Sequence, residues 1–427
     1  MALLPGGGLI RSTLVILGGS VAGQALLLAA SPLLTRIYST SDLGLFGTYA
    51  ALTPVLVVVA GLRFEAAIPL PDDDRDAFAL LVIAMVAGLV TACLAALVVW
   101  LGGQQLASAL GLPRLRTWLW FMPLGVVGGV TYQSLSYWHI RQAAFSAVAR
   151  TKVVQAGSAV TSQLGLGVAI AGPLGLFVGD LASRSAGSAS LARSAFAAFP
   201  GRSRELTSAR LRAVARTYRR FPLIATWSSV ANITALYLPV PLFAALYGGQ
   251  VAGGVFLAQR VVDLPVSLVS AAAGQVFLGR AAAAVREDPR HATAFFRFAV
   301  IRLGLCAVAF AIAASVAVAV FFEPVFGAGW SESGTFARFL CISSASALVV
   351  SPVSQLVFIA GRQLQQFAGD LARLIGVTGG ILCAYWARPG DATAGVATFA
   401  LLMATSYGLF LFFYYRCAVA ISRRALS

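Results

Sequence analysis

The sequence predicts an all-α polytopic membrane protein, with about 12 transmembrane helices arranged as two six-helix lobes. Three observations lead there. Apolar residues make up 59% of the 427 residues and charged residues 11%, where a soluble domain is about a quarter charged. Charge-free runs of about 20 residues, enough to cross the hydrocarbon as a helix, recur along the whole chain. The basic residues between them are dense in one connection and sparse in the next, as the positive-inside rule requires.

Residues 12–35 and 43–62 each read as one span. Residues 77–113 are too long for one and hold a helix with a polar tail at 102–105. Residues 117–140 give the fourth span, and 153–170 and 173–192 the fifth and sixth, parted by an Ala171-Gly172-Pro173 turn. The run 221–259 holds the seventh span and the start of the eighth, divided at Gly248 and Gly249, and the eighth continues to 277. Residues 303–322, 339–361, 371–386 and 392–415 supply the last four. The expected organisation is an N-terminal lobe at 1–192, a basic cytoplasmic linker at 193–220 and a C-terminal lobe at 221–427.

Lys and Arg number 31 against 15 Asp and Glu, a net charge of +16. With the N-terminus in the cytoplasm, 25 of the 31 fall in inner segments, only Arg36, Arg114, Arg116, Arg338 and Arg388 lie outside, and Arg260 sits within a helix. This asymmetry places both termini inside and calls for an even number of spans. The basic excess lies between apolar runs and not on a polar domain, which points to anionic membrane lipids and away from nucleic acid. The run after Arg11 is longer than a signal-peptide core, so it is expected to stay as the first helix.

Pro32, Tyr38 and Gly44 recur as Pro241, Tyr247 and Gly253, at an offset of about 209 residues that suggests an internal repeat. Six spans per half give both halves the same orientation, so the repeats are parallel and a substrate site is expected between them. In the linker, Arg212, Arg216 and Arg219 or Arg220 share a helical face opposed by Leu211, Val214 and Tyr218. That pattern reads as a basic amphipathic helix on the inner leaflet, and residues 279–298 read as a second.

Cys93, Cys306, Cys341, Cys383 and Cys417 all lie in apolar runs without CxxC spacing, so they read as small buried hydrophobes. His139 and His291 stand beside arginines at the ends of apolar runs, an interfacial position. No metal, haem or nucleophile constellation follows, and no resident cofactor is expected.

Particular residues carry a family resemblance. Ser31-Pro32-Leu33-Leu34-Thr35-Arg36-Ile37-Tyr38-Ser39 with Asp42-Leu43-Gly44-Leu45-Phe46, and then Leu62-Arg63-Phe64-Glu65-Ala66-Ala67-Ile68-Pro69-Leu70-Pro71, resemble the N-terminal signature of Wzx-type bacterial polysaccharide flippases. These belong to the multidrug/oligosaccharidyl-lipid/polysaccharide exporter (MOP) superfamily. Gly254 to Pro265, Gly274-Gln275-Val276-Phe277 and the Phe326-Gly327 to Trp330 loop are similar to the family's second half. The resemblance implies two lobes around a central cavity opening alternately to the two sides. It implies flipping of an undecaprenyl-diphosphate-linked oligosaccharide across the bacterial cytoplasmic (inner) membrane for O-antigen, capsule or exopolysaccharide assembly. A glycan polymerase and a chain-length regulator are the implied protein partners. The acidic run Asp72-Asp73-Asp74-Arg75-Asp76 is unusual for the family and reads as an exposed turn in an inner loop.

A charge at helix depth costs at least about 2.5 to 3.5 kcal/mol, so each needs a partner or a hydrated cavity. Asp180 and Arg184 are four apart on the sixth span and Arg260 and Asp263 three apart on the eighth, spacings that suit either self-neutralising pairs or coupling groups for H+ or Na+. Asp370 and Arg373 belong at the inner interface, and Arg36, Arg63 and Glu65 lie at span ends where long side chains can snorkel. A lipid diphosphate calls for guanidinium groups in a wet cavity. Arg260 is the first candidate, because it is nearest a span centre and Pro265 nearby can break the helix and free backbone groups. Arg36 is the second, unmatched in the other half where Ala245 stands, and Arg63 joins them. Asn232, Gln24 and Tyr237 are candidate glycan contacts, or else interhelical polar contacts.

Two rival functions remain open at this point. A cation-coupled multidrug antiporter needs acidic cavity groups, whereas the intramembrane charges here are evenly mixed on a basic chain. A glycan polymerase or membrane glycosyltransferase needs a large outer loop or an accessible carboxylate pair, and the outer connections are short; the expectation is therefore a non-enzyme.

Overall fold

Inside a bilayer the backbone N–H and C=O groups find no water, so apolar runs close their hydrogen bonds internally and become helices. The computed structural model, described at residues 6–197, 207–287, 290, 292–360 and 362–424, is helical with no strand among those residues. Twelve helical passes follow in order. They are α1 (Gly6–Ile37), α2 (Thr40–Ala60), α3 (Asp74–Ala109), α4 (Phe121–Arg141), α5 (Phe145–Ala169) and α6 (Leu174–Ser185), then α7 (Thr226–Tyr237 and Pro239–Tyr247), α8 (Gly249–Glu287), α9 (Ala292–Phe326), α10 (Ser331–Val353), α11 (Gln363–Ala387) and α12 (Ala392–Arg424).

Among the described residues, eight helices are each long and apolar enough to cross a membrane, and the two pieces of α7, bent by 47°, make a ninth span. The shorter or more polar α4, α5 and α6 complete the twelve. Large apolar side chains are exposed in stripes, such as Ile301, Leu305, Val308, Ile312, Val316 and Val320 along α9. A soluble protein would aggregate through such a face, and here it meets lipid.

Two compact units divide the chain at Ala252 and Gly253. In the first, α1 lies along α5, α3 along α4, and both pieces of α7 pack on α2. Glycines allow the closest approaches. A Cβ on Gly44 of α2 would stand 1.9 Å from the Gly249 carbonyl oxygen, and one on Gly175 would stand 2.2 Å from the Tyr38 hydroxyl, which donates to the Gln163 carbonyl at 2.6 Å. In the second unit α10 is central, packed on α9 and α12, with α11 against α12.

Several expectations are corrected. The sixth span is not one helix: α6 ends at Ser185, Gly187 takes a left-handed φ of 79°, and Ser188–Ala197 forms a separate helix. Pro265 does not break α8, which stays helical from Gly249 to Glu287 with that proline inside; a proline removes only one N–H from the ladder. Cys93, Cys306 and Cys383 are exposed on lipid-facing surface, and only Cys341 and Cys417 are buried. His139 is buried, held between the Leu135 carbonyl and the Ser194 hydroxyl at 2.8 and 2.7 Å. His291 lies outside the described residues, as do the side chains of much of 279–298.

The linker helix Ser208–Thr217 keeps Arg212 and Arg216 exposed, but its apolar face does not lie on lipid. Val214 is buried with Phe78, Leu81, Leu135 and Trp138, and Leu211 and Tyr218 pack at the edge of that core. A single π-turn, Phe221–Ala225, then leads into α7.

Candidate substrate and coupling sites

In the first unit the intramembrane charges gather around α6. Arg184 Nε donates to Asp180 Oδ2 at 2.6 Å, and the Tyr49 hydroxyl of α2 stands 3.2 Å from the same oxygen and 3.4 Å from the Phe121 carbonyl. The pair therefore forms at the spacing of four that places side chains on one helical face. Gly125 and Gly128 of α4 make room for it, since a Cβ on either would meet Tyr49 or Ser185 at about van der Waals contact or closer and Arg184 just beyond. Tyr237 of α7, 43% exposed, lies within electrostatic range of Arg184. Two predicted residues, Asp180 and Arg184, thus meet a third, Tyr237. Gln24 is half-buried on α1, while Arg36 at its end and Asn232 on α7 are exposed.

Arg63 is elsewhere. It caps the turn between α2 and α3 in a left-handed conformation, φ 57°, with its Nη1 3.8 Å from Glu65 Oε1. Glu65 does not snorkel as expected but is 1% exposed.

In the second unit the expected ion pair between Arg260 and Asp263 does not form. Asp263 turns to the neighbouring α10, where its Oδ1 accepts a short hydrogen bond from the Ser344 hydroxyl. Arg260 is half-buried one turn before Asp263. Asp370 and Arg373 were expected at the interface, yet their side chains are each 6% exposed and joined at 3.0 Å from Nη2 to Oδ1. The Arg373 guanidinium lies 5.9 Å from the Tyr407 ring centre and 5.4 Å from that of Phe410, a cation–π arrangement. It also lines a mostly apolar cavity of about 370 Å³ between α11 and α12, with Gly376, Leu402 and Phe413. Tyr407 falls within electrostatic range of both Arg373 and Asp263, so the two polar groups of this unit are neighbours.

At the end of α3 that begins with the acidic run, both carboxylate oxygens and carbonyls are engaged. Arg141 reaches Asp74 Oδ1 at 2.8 Å and the Pro71 carbonyl at 2.5 Å, and Arg210 of the linker helix reaches Asp73 at 2.6 Å and Asp76 at 2.8 Å. The Arg75 backbone N–H, helped by Arg210, holds the Asp73 carboxyl below its usual range.

Sequence reasoning missed Tyr49, Ser344 and Tyr407, which carry no spacing signal because they lie on other helices. No group of three or more His, Cys, Asp or Glu that would hold a metal ion occurs among the described residues.

This is a polytopic helical membrane protein with one intramembrane ion pair described in each of two compact units, and its fold is that of known transporters. It is similar to a multidrug resistance transporter of the MATE family, within the MOP superfamily, in an inward-facing conformation, with 13% identity, 97% and 99% of the two chains covered and a TM-score of 0.73. The lipid II flippase MurJ in an inward closed conformation matches at 11% identity, with 98% and 91% covered and a TM-score of 0.69. A MOP-superfamily transporter from Pyrococcus furiosus matches at 13% identity, with 96% of each chain and a TM-score of 0.62. A sequence search of curated proteins finds no match. The chain belongs to the polysaccharide biosynthesis protein family, whose model matches residues 33–335.

Proposed function

We propose that this protein is a flippase that moves a polyprenyl-diphosphate-linked oligosaccharide from the inner to the outer leaflet of a bacterial cytoplasmic membrane, with both termini inside and by alternating access. The observation that carries this reading is a chain of the polysaccharide biosynthesis family on a fold shared with a lipid II flippase. Transport without bond chemistry is the corollary, so the protein is not an enzyme. Arg260, half-buried and near the middle of its span, is the cation this reading assigns to the diphosphate. A guanidinium there can grip diphosphate oxygens in bidentate fashion. Arg36 and Arg63 serve as contacts at helix ends, and Tyr237, Asn232 and Gln24 face the glycan. Asp263 and Asp180 are the carboxylates available to couple the cycle to H+ or Na+, with no other cofactor. Glycan polymerase and chain-length regulator are the proteins this cargo would pass to.

The test is export. Arg260→Lys should lose surface polymer while the protein inserts and accumulates normally, and labelled lipid-linked oligosaccharide should collect on the inner leaflet of a deletion strain. Full export by Arg260→Ala removes that residue from the site. The MATE likeness favours a second reading, a cation-coupled drug antiporter; drug efflux from a sensitive host by this protein, with normal surface polymer in the deletion strain, would establish that one instead.

A further inference from the structure

The turn after α2 concentrates features that a merely connecting loop does not need. Leu62 and Arg63 are consecutive non-glycine residues with φ of 48° and 57°, a left-handed conformation that side chains resist. The short helix Phe64–Ala67 follows, with Phe64, Ala67 and Ile68 in the core formed with α3, α4 and the linker helix. Glu65 is 1% exposed, and neither of its carboxylate oxygens has a hydrogen-bond partner among the described residues. Gly61 makes this possible, since a Cβ there would stand 2.4 Å from Glu65 Oε2.

The other charged groups on the surrounding elements either pair elsewhere or are exposed, Asp72 and Arg75 at the start of α3 among the exposed ones. On α3 and the turn before it, Asp74 pairs with Arg141, and Asp73 and Asp76 pair with Arg210. On α4, His139 is held by Leu135 and Ser194. Before the π-turn, Arg219 and Arg220 are exposed. That leaves Arg63, whose guanidinium is 3.8 Å away, beyond hydrogen-bond length, with its own Nε buried and unbonded and its side chain 24% exposed. A carboxylate ionised in such a place would be a buried anion without hydrogen bonds, which proteins avoid by keeping the group neutral. Burial does push the Glu65 carboxyl above its usual range, and the nearness of its own backbone N–H and of Arg63 offsets this only in part.

We propose that Glu65 is a positioning residue: as a neutral carboxylic acid it leaves the Arg63 charge available to a phosphate group at the end of α2, and when ionised it draws Arg63 in and withdraws that charge. The proton comes from, and returns to, the water at that end of the helix. This rests on the flippase reading for the identity of the phosphate carrier, a lipid diphosphate.

Two measurements on the purified full-length protein test it. Infrared difference spectra at neutral pH should show a protonated-carboxyl band that Glu65→Gln, nearly isosteric and uncharged, removes; a spectrum without a Glu65-dependent band overturns the proposal. Equilibrium binding of farnesyl diphosphate is then compared between wild type and Glu65→Gln across the neutral range. The ratio of wild-type to variant affinity should fall as pH rises through the Glu65 titration, because only the wild type can ionise at residue 65. Arg63→Ala should bind about tenfold or more weakly than Glu65→Gln and show no such trend. A flat ratio with binding intact overturns the switch and leaves the flippase reading standing. Failure of every variant and of the wild type to bind, with the infrared band present, overturns the diphosphate reading and the proposed Arg63 contact, while the neutral Glu65 stands on the spectrum.

Discussion

In the first unit the intramembrane ion pair is Asp180 with Arg184, four apart on α6, 12% and 19% exposed, with a tyrosine hydroxyl as a third member. In the second it is Asp370 with Arg373, three apart on α11, each 6% exposed, with aromatic rings against the guanidinium. Both pairs lie within one helix, so neither commits its helix to a neighbour through charge. They differ in how deeply they are buried. The α6 pair is partly exposed and has a hydroxyl neighbour in Tyr49, which suits a group that changes partners. The α11 pair is sealed, and a sealed pair is stable only while both members are present.

The largest effect should therefore come from breaking the α11 pair. Asp370→Asn or Arg373→Ala breaks a buried pair by removing one member and should cost about 3 to 5 kcal/mol, whereas replacing both members by apolar residues of similar volume should be nearly neutral. Thermal unfolding in detergent checks this. A double variant no more stable than the single ones would mean that the pair is not sealed in the way the comparison supposes.

Asp180→Asn should come next, at about 1 to 3 kcal/mol, because this pair is less deeply buried. Tyr49→Phe should cost less, about 0.5 to 1.5 kcal/mol for one lost hydrogen bond. The same unfolding assay ranks them. If Asp180→Asn proves as damaging as Asp370→Asn, the difference in burial between the two pairs carries no energetic weight.

How much of this was legible beforehand follows the range of each interaction. Helices announce themselves through local hydrogen bonding and run length, so all twelve passes were visible, and so was the α6 pair, whose members are four residues apart. On α8 the spacing of Arg260 and Asp263 left a self-neutralising pair and a coupling role both open, and the first does not form because Asp263 has a partner 81 residues away in Ser344. Burial was the other blind spot. Asp370, Arg373, Glu65 and His139 looked interfacial from their place near run ends, and only the packing of other helices over them shows otherwise. The linker helix shows the same limit, since an amphipathic pattern says that one face is covered and not whether lipid or protein covers it.

The smallest effect belongs to the acidic turn at the start of α3, and it separates surface charge from intramembrane charge. Arg210 joins Asp73 and Asp76 with those carboxylates 48% and 36% exposed, and exposed pairs contribute about 0.2 to 1 kcal/mol, less in high salt. Asp73 titrates below its usual range in the folded protein. Its contribution is therefore present above the unfolded-state value and is lost as pH falls through the lowered folded value. Arg210→Ala should accordingly lower the unfolding temperature slightly at neutral pH, with the difference from wild type vanishing in strong acid and shrinking in high salt. Charge exchange, Arg210→Asp with Asp73→Arg and Asp76→Arg, should restore part of the loss if the contact is ionic. The apolar seat of Val214 is untouched by these changes and should keep the linker helix docked. A large, salt-insensitive loss in Arg210→Ala would instead place this surface contact alongside the buried α11 pair and undo the distinction between them.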